Sequence, residues 1–355
     1  MKNNRATISD VAAKANVSKS TVSNYLNGRF VTMSHETKER IEEAIQQLSY
    51  TPSLSARRLA AKEKCRAICM VIPFNISHAF DTLYYPTVMS TIGEIAEKMN
   101  YNVLIFARNR PGIEKDMEYL KGMASTMVDG FIIYDLQQND FYFKEFEKAN
   151  IPYVCVGKIY GYDDYHYVAS DHEQAITDAV EYLLKLGHRK ISMILENSVS
   201  APEQSKIAGY KKAFQRCGIP VSQNAFYDID PHSINTDQMC YEKCREILAQ
   251  KDHPTAIICS IVFMHTILRV AEENHLSVPE DLSLIATEYS DRYQFSYINF
   301  TRIRTIASEV SVIAFKKLIR SIYNKNDVFQ SQMNKLSLIV GDTTAPVKDT
   351  RSILP

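Results

Sequence analysis

The feature that most constrains this sequence is the segment 7–50, in which three short helical patterns each follow a capping residue. Thr7, Ser18 and Ser34 stand at the three N-cap positions, and the first helix also has an acidic residue at its capping-box position. The second pattern ends at Asn27-Gly28, where a glycine can adopt positive φ. Helices this short are stable only when they pack on one another. The segment therefore predicts a three-helix unit whose first two helices form a helix-turn-helix.

The residues of these helices divide into an apolar set and a polar set. The second helix would present Lys19, Ser20, Ser23 and Asn24 outward, and none of these side chains is needed for packing. A cation, hydroxyls and an amide suit phosphates and base edges in a major groove. The alternative is a small helical bundle whose polar face is simply solvated. The apolar set has helical spacing and should form the core: Ile8, Val11, Ala12, Ala15, Val22, Leu26, Ile41, Ile45 and Leu48.

The order of residues in this segment carries a specific resemblance. The string T-I-x-D-V-A-x-x-A-x-V-S-x-x-T-V-S, then N-G, then Y-x-P and A-R-x-L, resembles the lactose-repressor (LacI/GalR) family of bacterial transcription regulators. The resemblance implies a sequence-specific DNA-binding regulator, most often a repressor of metabolic or transport genes, which binds a palindromic operator as a homodimer under the control of a small-molecule effector. It places the DNA contacts of this chain at Thr7, Lys19, Ser20, Thr21, Ser23, Asn24, Asn27, Ser53, Ala56, Arg57 and Leu59.

Residues 51–64 form a hinge or linker between the first unit and the rest of the chain. Pro52 ends what precedes it, and Ser53 can cap one or two helical turns, which are too short to be stable in isolation. We therefore expect this segment to be helical only against a partner. The resemblance implies that two such hinge helices dock in the minor groove, where Leu59 wedges between base pairs and Ala56 allows close approach. The family usually has Asn where this chain has Ser53, which we interpret as an exchange of one cap for another.

Charge is distributed unevenly along a chain whose net charge is zero. Residues 1–64 contain 11 Lys or Arg against 6 Asp or Glu, whereas the remaining residues contain 30 against 35. Neutralisation of phosphates supplies most nonspecific affinity for nucleic acids, so a basic end on an acidic body favours a nucleic acid as the partner of the first unit. The resemblance implies that this partner is double-stranded operator DNA.

From Cys65 onward, short apolar runs alternate with amphipathic helical patterns, which is typical of α/β folds with parallel sheets. We predict a body of two doubly wound parallel-sheet subdomains of the periplasmic-binding-protein type, with ligand at the carboxyl ends of the strands. The predicted strands are 67–73, 102–106, 130–134 and 153–157 in the first series, and 190–195, 225–229, 256–260, 282–287 and 336–341 in the second. The predicted domains are an all-α headpiece (1–50), the hinge (51–64) and an effector-sensing and dimerisation body (65–355), with an N-subdomain of about 65–186 and 308–335 and a C-subdomain of about 187–307 and 336–346.

The candidate effector cleft departs from the pattern of sugar-binding members of the family. Lys206 stands where they have arginine, Ile261-Val262 where they have an Asn-Asp pair, and Glu288 where they have aspartate. Because an ammonium cannot replace a bidentate guanidinium, a plain free sugar is disfavoured. We expect an amphipathic ligand such as a modified sugar or other metabolite, with Lys206 binding a carboxylate, phosphate or carbonyl and Phe80 supplying stacking surface. The alternatives are a structural Lys206–Glu288 ion pair, and a cleft that responds to a protein corepressor or to no effector.

No constellation of residues supports catalysis. The chain has no phosphate loop, no G-x-G-x-x-G and no G-x-S-x-G, and its seven cysteines show neither disulfide nor zinc spacing, so we expect no catalytic residues, no metal, no cofactor and buried reduced thiols. The N-terminus lacks an apolar signal segment and no run approaches a membrane span, so we expect a cytoplasmic, nucleoid-associated bacterial protein with no membrane partner. The alternatives from another class are a clamshell enzyme or a ligand-binding protein.

Overall fold

The computed structural model describes residues 6–30, 33–51, 64–72, 80, 84–107, 113–134, 142–159, 164–196, 198–229, 236–289, 297–324 and 329–348. Contacts divide the chain into two compact units, residues 1–65 and 66–355. Across the described residues, no helix is both long enough and apolar enough to cross a bilayer.

The first unit consists of three helices: α1 (Ile8–Lys14), α2 (Lys19–Leu26) and α3 (His35–Gln47). Thr7, Ser18 and Ser34 cap them as predicted, each accepting a hydrogen bond from the backbone N–H three residues later. Gly28 has φ of +69°, which ends α2 in the left-handed region. The predicted helix-turn-helix is confirmed. Its small core comprises the buried residues Val11, Ala12, Ala15, Val22, Ile41 and Ala44.

The second unit contains two six-stranded sheets, each flanked by helices. The strands of the first sheet are β1 (Ala67–Ile72), β2 (Asn102–Ala107), β3 (Gly130–Tyr134), β4 (Tyr153–Val156), β5 (Tyr167–Ser170) and β11 (Gln332–Asn334), and its helices are α4 (Tyr84–Lys98), α5 (Ile113–Thr126), α6 (Tyr142–Lys148) and α11 (Ala307–Tyr323). The strand order is β11-β5-β4-β3-β1-β2, and all neighbouring strands are parallel. Helices α4 and α11 cover one face of this sheet.

The elements of the second sheet and its helices are α7 (His172–Lys185), β6 (Ile191–Glu196), α8 (Ala201–Arg216), β7 (Phe226–Ile229), α9 (Thr236–Leu248), β8 (Ala256–Ser260), α10 (Met264–Glu273), β9 (Ser283–Tyr289), β10 (Thr301–Arg304) and β12 (Ser337–Ile339). The strand order is β12-β10-β9-β8-β6-β7, and the sheet is parallel except for β12, which runs antiparallel to β10. Helices α7 and α8 belong to one apolar core of this sheet, and α9 and α10 belong to the other. The predicted doubly wound α/β architecture is therefore confirmed.

Five elements of the body were not assigned from the sequence: β5, α7, β10, α11 and β11. The short strands lack a long apolar run. In β10, for example, Thr301 and Ile303 are buried whereas Arg302 and Arg304 are only partly so. The two helices do have amphipathic patterns, and their buried residues follow helical spacing. The sequence therefore carried enough information to assign α7 and α11.

The chain crosses between the two sheets three times: after β5, between β10 and α11, and between β11 and β12. The predicted subdomain boundary near residue 186 was wrong. Helix α7 packs in one core with β6, β8 and β9 of the second sheet, so the first crossing lies at residues 170–172. The physical reason is the apolar face of α7, which is buried against α8 rather than against the first sheet. This face includes Ala175, Ile176, Ala179, Val180, Leu183 and Leu184.

Candidate functional site

The candidate DNA-reading surface is the polar side of α2, from Lys19 to Asn24. Lys19, Ser20 and Asn24 are exposed, whereas Thr21 and Ser23 are half-buried on the same helix. The hydroxyl of Ser18 lies 2.6 Å from that of Ser20 and 2.8 Å from that of Thr21. A capped helix N-terminus surrounded by hydroxyls and followed by a lysine has the donors that phosphate oxygens and base edges require.

Thr7 and Asn27 lie on the same unit but also make contacts within it. The Thr7 backbone N–H and hydroxyl each donate to Asp10 Oδ2 at 2.7 Å, and these bonds hold the pKa of that carboxyl below its ordinary value. The Asn27 side-chain amide donates to the Ser23 hydroxyl at 3.5 Å. Both residues thus stabilise the ends of their helices. The proposed hinge contacts Ser53, Ala56, Arg57 and Leu59 lie outside the described residues.

The second sheet presents the carboxyl ends of β6, β8 and β9 at one edge, where a parallel α/β sheet binds its ligands. Ile261, directly after β8, is partly buried against the core, and its neighbour Val262 is 42% exposed. Phe80, on the chain that follows β1 of the first sheet, is also exposed. The side chain of Glu288, near the end of β9, lies outside the described part of the structure.

A small cavity, partly open to solvent, lies where the chain crosses between the sheets. Each of the three crossings contributes one lining residue, respectively His172, Thr305 and Leu336. The remaining lining residues come from α7, α8, β9 and β10 and are Ala175, Ile176, Lys206, Thr287 and Ile303. The wall therefore combines an ammonium, an imidazole and hydroxyls with an apolar floor, which is the composition of a small-molecule site.

Lys206 is held by a partner that the sequence analysis did not consider. Its ammonium lies 2.6 Å from Glu203 Oε1 on the preceding turn of α8, and each side chain is only 6% exposed. Of the predicted effector residues whose side chains are described, Lys206 lines the cavity, whereas Phe80, Ile261 and Val262 do not. Sequence reasoning missed Glu203, although its three-residue spacing from Lys206 is visible in the sequence. It also missed His172 and Thr305, which only the crossing of the chain brings to the cavity.

His188 serves the fold, and the seven cysteines form no disulfide. The His188 ring lies 2.9 Å from the Thr255 hydroxyl through Nδ1 and 3.0 Å from the Ala345 carbonyl through Nε2, and burial lowers the pKa of His188. The structural role predicted for His188 is therefore confirmed. All seven cysteines are reduced, as expected, but Cys217 is exposed and Cys65 is partly so, which corrects the expectation of buried thiols throughout. No group of three or more His, Cys, Asp or Glu in the described part of the chain could hold a metal ion.

Comparison with known proteins connects both units to one family. Residues 7–53 match the model of "Bacterial regulatory proteins, lacI family", and residues 180–344 match a "Periplasmic binding protein-like domain". The "Probable HTH-type transcriptional regulator EndR" of Paenibacillus polymyxa is 30% identical over 94% of each chain. The "HTH-type transcriptional repressor PurR" of Klebsiella pneumoniae (strain 342) is also 30% identical, over 92% of this chain and 93% of that one.

The fold likeness extends over both units. The structure of the lac repressor dimer bound to operator and the anti-inducer ONPF is similar with a TM-score of 0.72 and 22% identity, covering 96% of this chain and 100% of that one. The relatives are named as transcriptional regulators and repressors, so this chain is a regulator and not an enzyme. A regulator that is 30% identical spans 94% of this chain, and residues 7–53 match the family model. The protein therefore belongs to the lacI family of bacterial regulatory proteins.

Proposed function

We propose that this regulator is a homodimeric repressor of metabolic or transport genes that binds a palindromic operator and responds to a small molecule in the cleft between its two sheets. The observation that carries the DNA-binding part is α2, whose exposed Lys19, Ser20 and Asn24 take no part in the buried core of the headpiece. The helix is oriented by Val22, which is fully buried on its opposite side. A polar face on a rigidly packed helix can enter a major groove without unfolding the unit that carries it.

We infer a homodimer from the small size of the headpiece. One small helix-turn-helix covers too little DNA for tight specific binding, and two copies related by a twofold axis would read a palindrome. The lac repressor structure is described as a dimer bound to operator, which supports the same assembly here. Selection of bound sequences from a random double-stranded DNA library tests the proposal. A palindromic consensus supports it, and binding without sequence preference contradicts it.

The first prediction concerns the residues that read bases. We propose that Lys19, Ser20 and Asn24 contact base edges, while Thr21 and Ser23 hold phosphates. Lys19→Ala or Asn24→Ala should then change the preferred base at one position of each half-site by about 1–3 kcal/mol, because a base contact discriminates between sequences. Competition titrations against single-base operator variants measure this change. Ser23→Ala is the matched control, and a uniform loss of affinity with Lys19→Ala would show a phosphate contact instead.

The second prediction concerns the hinge. We propose that one or two helical turns form within residues 51–64 on DNA and that Leu59 wedges between base pairs, because so short a helix needs a partner to form. Leu59→Ser should preserve dimerisation, measured by sedimentation, but reduce operator affinity and DNA bending. Leu59→Met, which retains an apolar side chain of similar volume, serves as the control. Unchanged bending of Leu59→Ser complexes in a circular-permutation gel assay would exclude the wedge.

We propose that the effector occupies the cleft and contacts Lys206 and Glu288, with Phe80, Ile261 and Val262 as apolar surface at its edge. The cavity beside Lys206 supports this placement because each crossing segment contributes to its wall. A ligand held there touches the segments about which the two sheets would move relative to each other. It can shift that equilibrium only by binding one arrangement more tightly than the other. The proposed ligand is amphipathic, since the wall combines polar groups with the apolar side chains of Ile176, Ile303 and Leu336.

The third prediction tests this ligand class. Calorimetry with a metabolite panel should find a ligand whose binding weakens by about tenfold or more in Lys206→Ala, because a hydrogen bond to a charged group contributes about 1.5–3 kcal/mol. Glu288→Ala should weaken the same ligand. Tight binding of an unmodified hexose that persists in both variants would contradict the proposed site.

One observation favours a second candidate function, in which the cleft responds to a protein corepressor or to no effector. Lys206 has an ionic partner in Glu203 on its own helix, so its ammonium does not need a small molecule to be paired. Co-purification of a second protein with the operator complex, together with no binding from the metabolite panel, would favour this candidate.

A further inference from the structure

The buried pair of Glu203 and Lys206 contributes only one member to the wall of the cavity. Lys206 lines the cavity, whereas Glu203, one turn earlier on α8 and with 6% of its side chain exposed, is not among the lining residues. The two groups are 2.6 Å apart, a short charge-assisted hydrogen bond. A ligand in the cavity therefore meets a cation whose charge is already balanced by a carboxylate that is not part of the wall.

The rest of the described wall offers little charge. Its other members are the His172 imidazole, the hydroxyls of Thr287 and Thr305, and four aliphatic side chains. No carboxylate is among the lining residues that the structure describes. Among the charged groups that the structure describes at this wall, Lys206 and its partner Glu203 therefore set the electrostatic character.

We propose that Glu203 determines the charge of the ligand: by neutralising Lys206 it makes the cleft select an uncharged, hydroxyl- or carbonyl-bearing molecule and reject anions. This inference rests on the proposed effector site and narrows its ligand class. The sequence had left a carboxylate, a phosphate or a carbonyl open as the group that Lys206 binds. The pairing with Glu203 selects the carbonyl and the neutral hydroxyl, because both accept a hydrogen bond from the ammonium without separating the ion pair.

The reason for rejecting anions is the low polarity of the site. A ligand carboxylate or phosphate that approached Lys206 would also approach Glu203, and like charges repel more strongly where water is excluded. If the anion instead displaced Glu203 from the ammonium, a buried carboxylate would lose its partner, which is strongly unfavourable. A neutral acceptor incurs neither cost.

The experiment uses inorganic phosphate as the probe and full-length protein in every arm. Calorimetric titrations compare wild type, Glu203→Gln, Lys206→Gln and the double variant. The glutamine at position 203 keeps the shape of the side chain and removes its charge. We expect no saturable phosphate binding at the cleft of the wild type, and phosphate binding to Glu203→Gln at least about tenfold tighter than to the double variant. The double variant also corrects for phosphate held by the basic headpiece.

Two results would overturn the inference. One is saturable phosphate binding to the wild type that is lost in Lys206→Gln, since the cleft would then accept anions despite Glu203. The other is a folded Glu203→Gln variant that binds phosphate no better than the double variant. If Glu203→Gln does not fold, the comparison of phosphate binding between wild type and Lys206→Gln still tests the inference. Glu203→Asp, which keeps the charge, should then remain unable to bind phosphate.

A parallel operator titration separates this inference from the proposed function. If phosphate binds Glu203→Gln as expected but leaves its operator affinity unchanged, the charge role of Glu203 stands and the cleft is not the control site. If a neutral ligand releases the operator while phosphate binding is the same in all four proteins, the control site stands and the inference about Glu203 is wrong.

Discussion

Replacing Gly209 by alanine should unfold or severely destabilise the body of this protein, by about 3 kcal/mol or more, although alanine normally stabilises a helix by about 1 kcal/mol relative to glycine. Gly209 lies in the middle of α8, where that helix packs against α7. A Cβ at this position would lie 2.2 Å from the Glu173 carbonyl oxygen, a backbone atom that cannot move aside alone. The helices would have to separate.

Separation of α7 and α8 would affect more than one contact. The Thr177 hydroxyl donates to the carbonyls of both Glu173 and Gly209, and Tyr210 next to Gly209 is fully buried. Helix α8 also carries the Glu203–Lys206 pair, so ligand binding should be lost together with stability.

Urea denaturation of full-length protein measures the effect, with Gly122→Ala as the matched control. Gly122 is also inside a helix, α5, but a Cβ there has nothing within 4 Å. We expect Gly122→Ala to leave the free energy of unfolding unchanged or raise it by up to about 1 kcal/mol. Equal stability of the two variants would show that α7 and α8 are not in close contact.

Replacing Val22 by asparagine should abolish operator binding while leaving the body folded. Val22 is completely buried in the headpiece core, so the change removes about 1.5–3 kcal/mol of apolar burial and adds about 1–3 kcal/mol for an amide without partners. At roughly 0.05–0.15 kcal/mol per residue, a unit this small has only a few kcal/mol of stability to lose. Val22→Asn should therefore unfold it.

Two measurements check this prediction. Anisotropy with the selected operator should show no specific complex, while thermal unfolding of the body should be unchanged because the headpiece is a separate compact unit. Glu43→Asn introduces the same residue at an exposed position of α3 and should leave the fold of the headpiece intact. Retained operator binding by Val22→Asn would contradict the packing described for the headpiece.

Local sequence determined the headpiece. Ser18 and Ser34 cap their helices, Gly28 ends α2, and Val22 is buried, as the sequence predicts. Capping and helical periodicity operate within a few residues, so they can be deduced without a tertiary structure. The strands of the body were predictable for the same reason where they form apolar runs, as in β3 and β8, which the structure places at the predicted residues.

Only the tertiary structure decided which residues share the ligand cavity and what charge it carries. His172, Thr305 and Leu336 are far apart in the sequence and meet because three segments cross between the sheets. The spacing of Glu203 and Lys206 is visible in the sequence, but the same spacing on an exposed helix would be a weak, solvated pair. Burial makes the pair strong enough to set which ligand charge we propose the cleft accepts. That burial depends on how α8 packs against α7 and the second sheet. Periodicity predicts which face of a helix is apolar, whereas the partner of that face is selected by contacts distant in sequence.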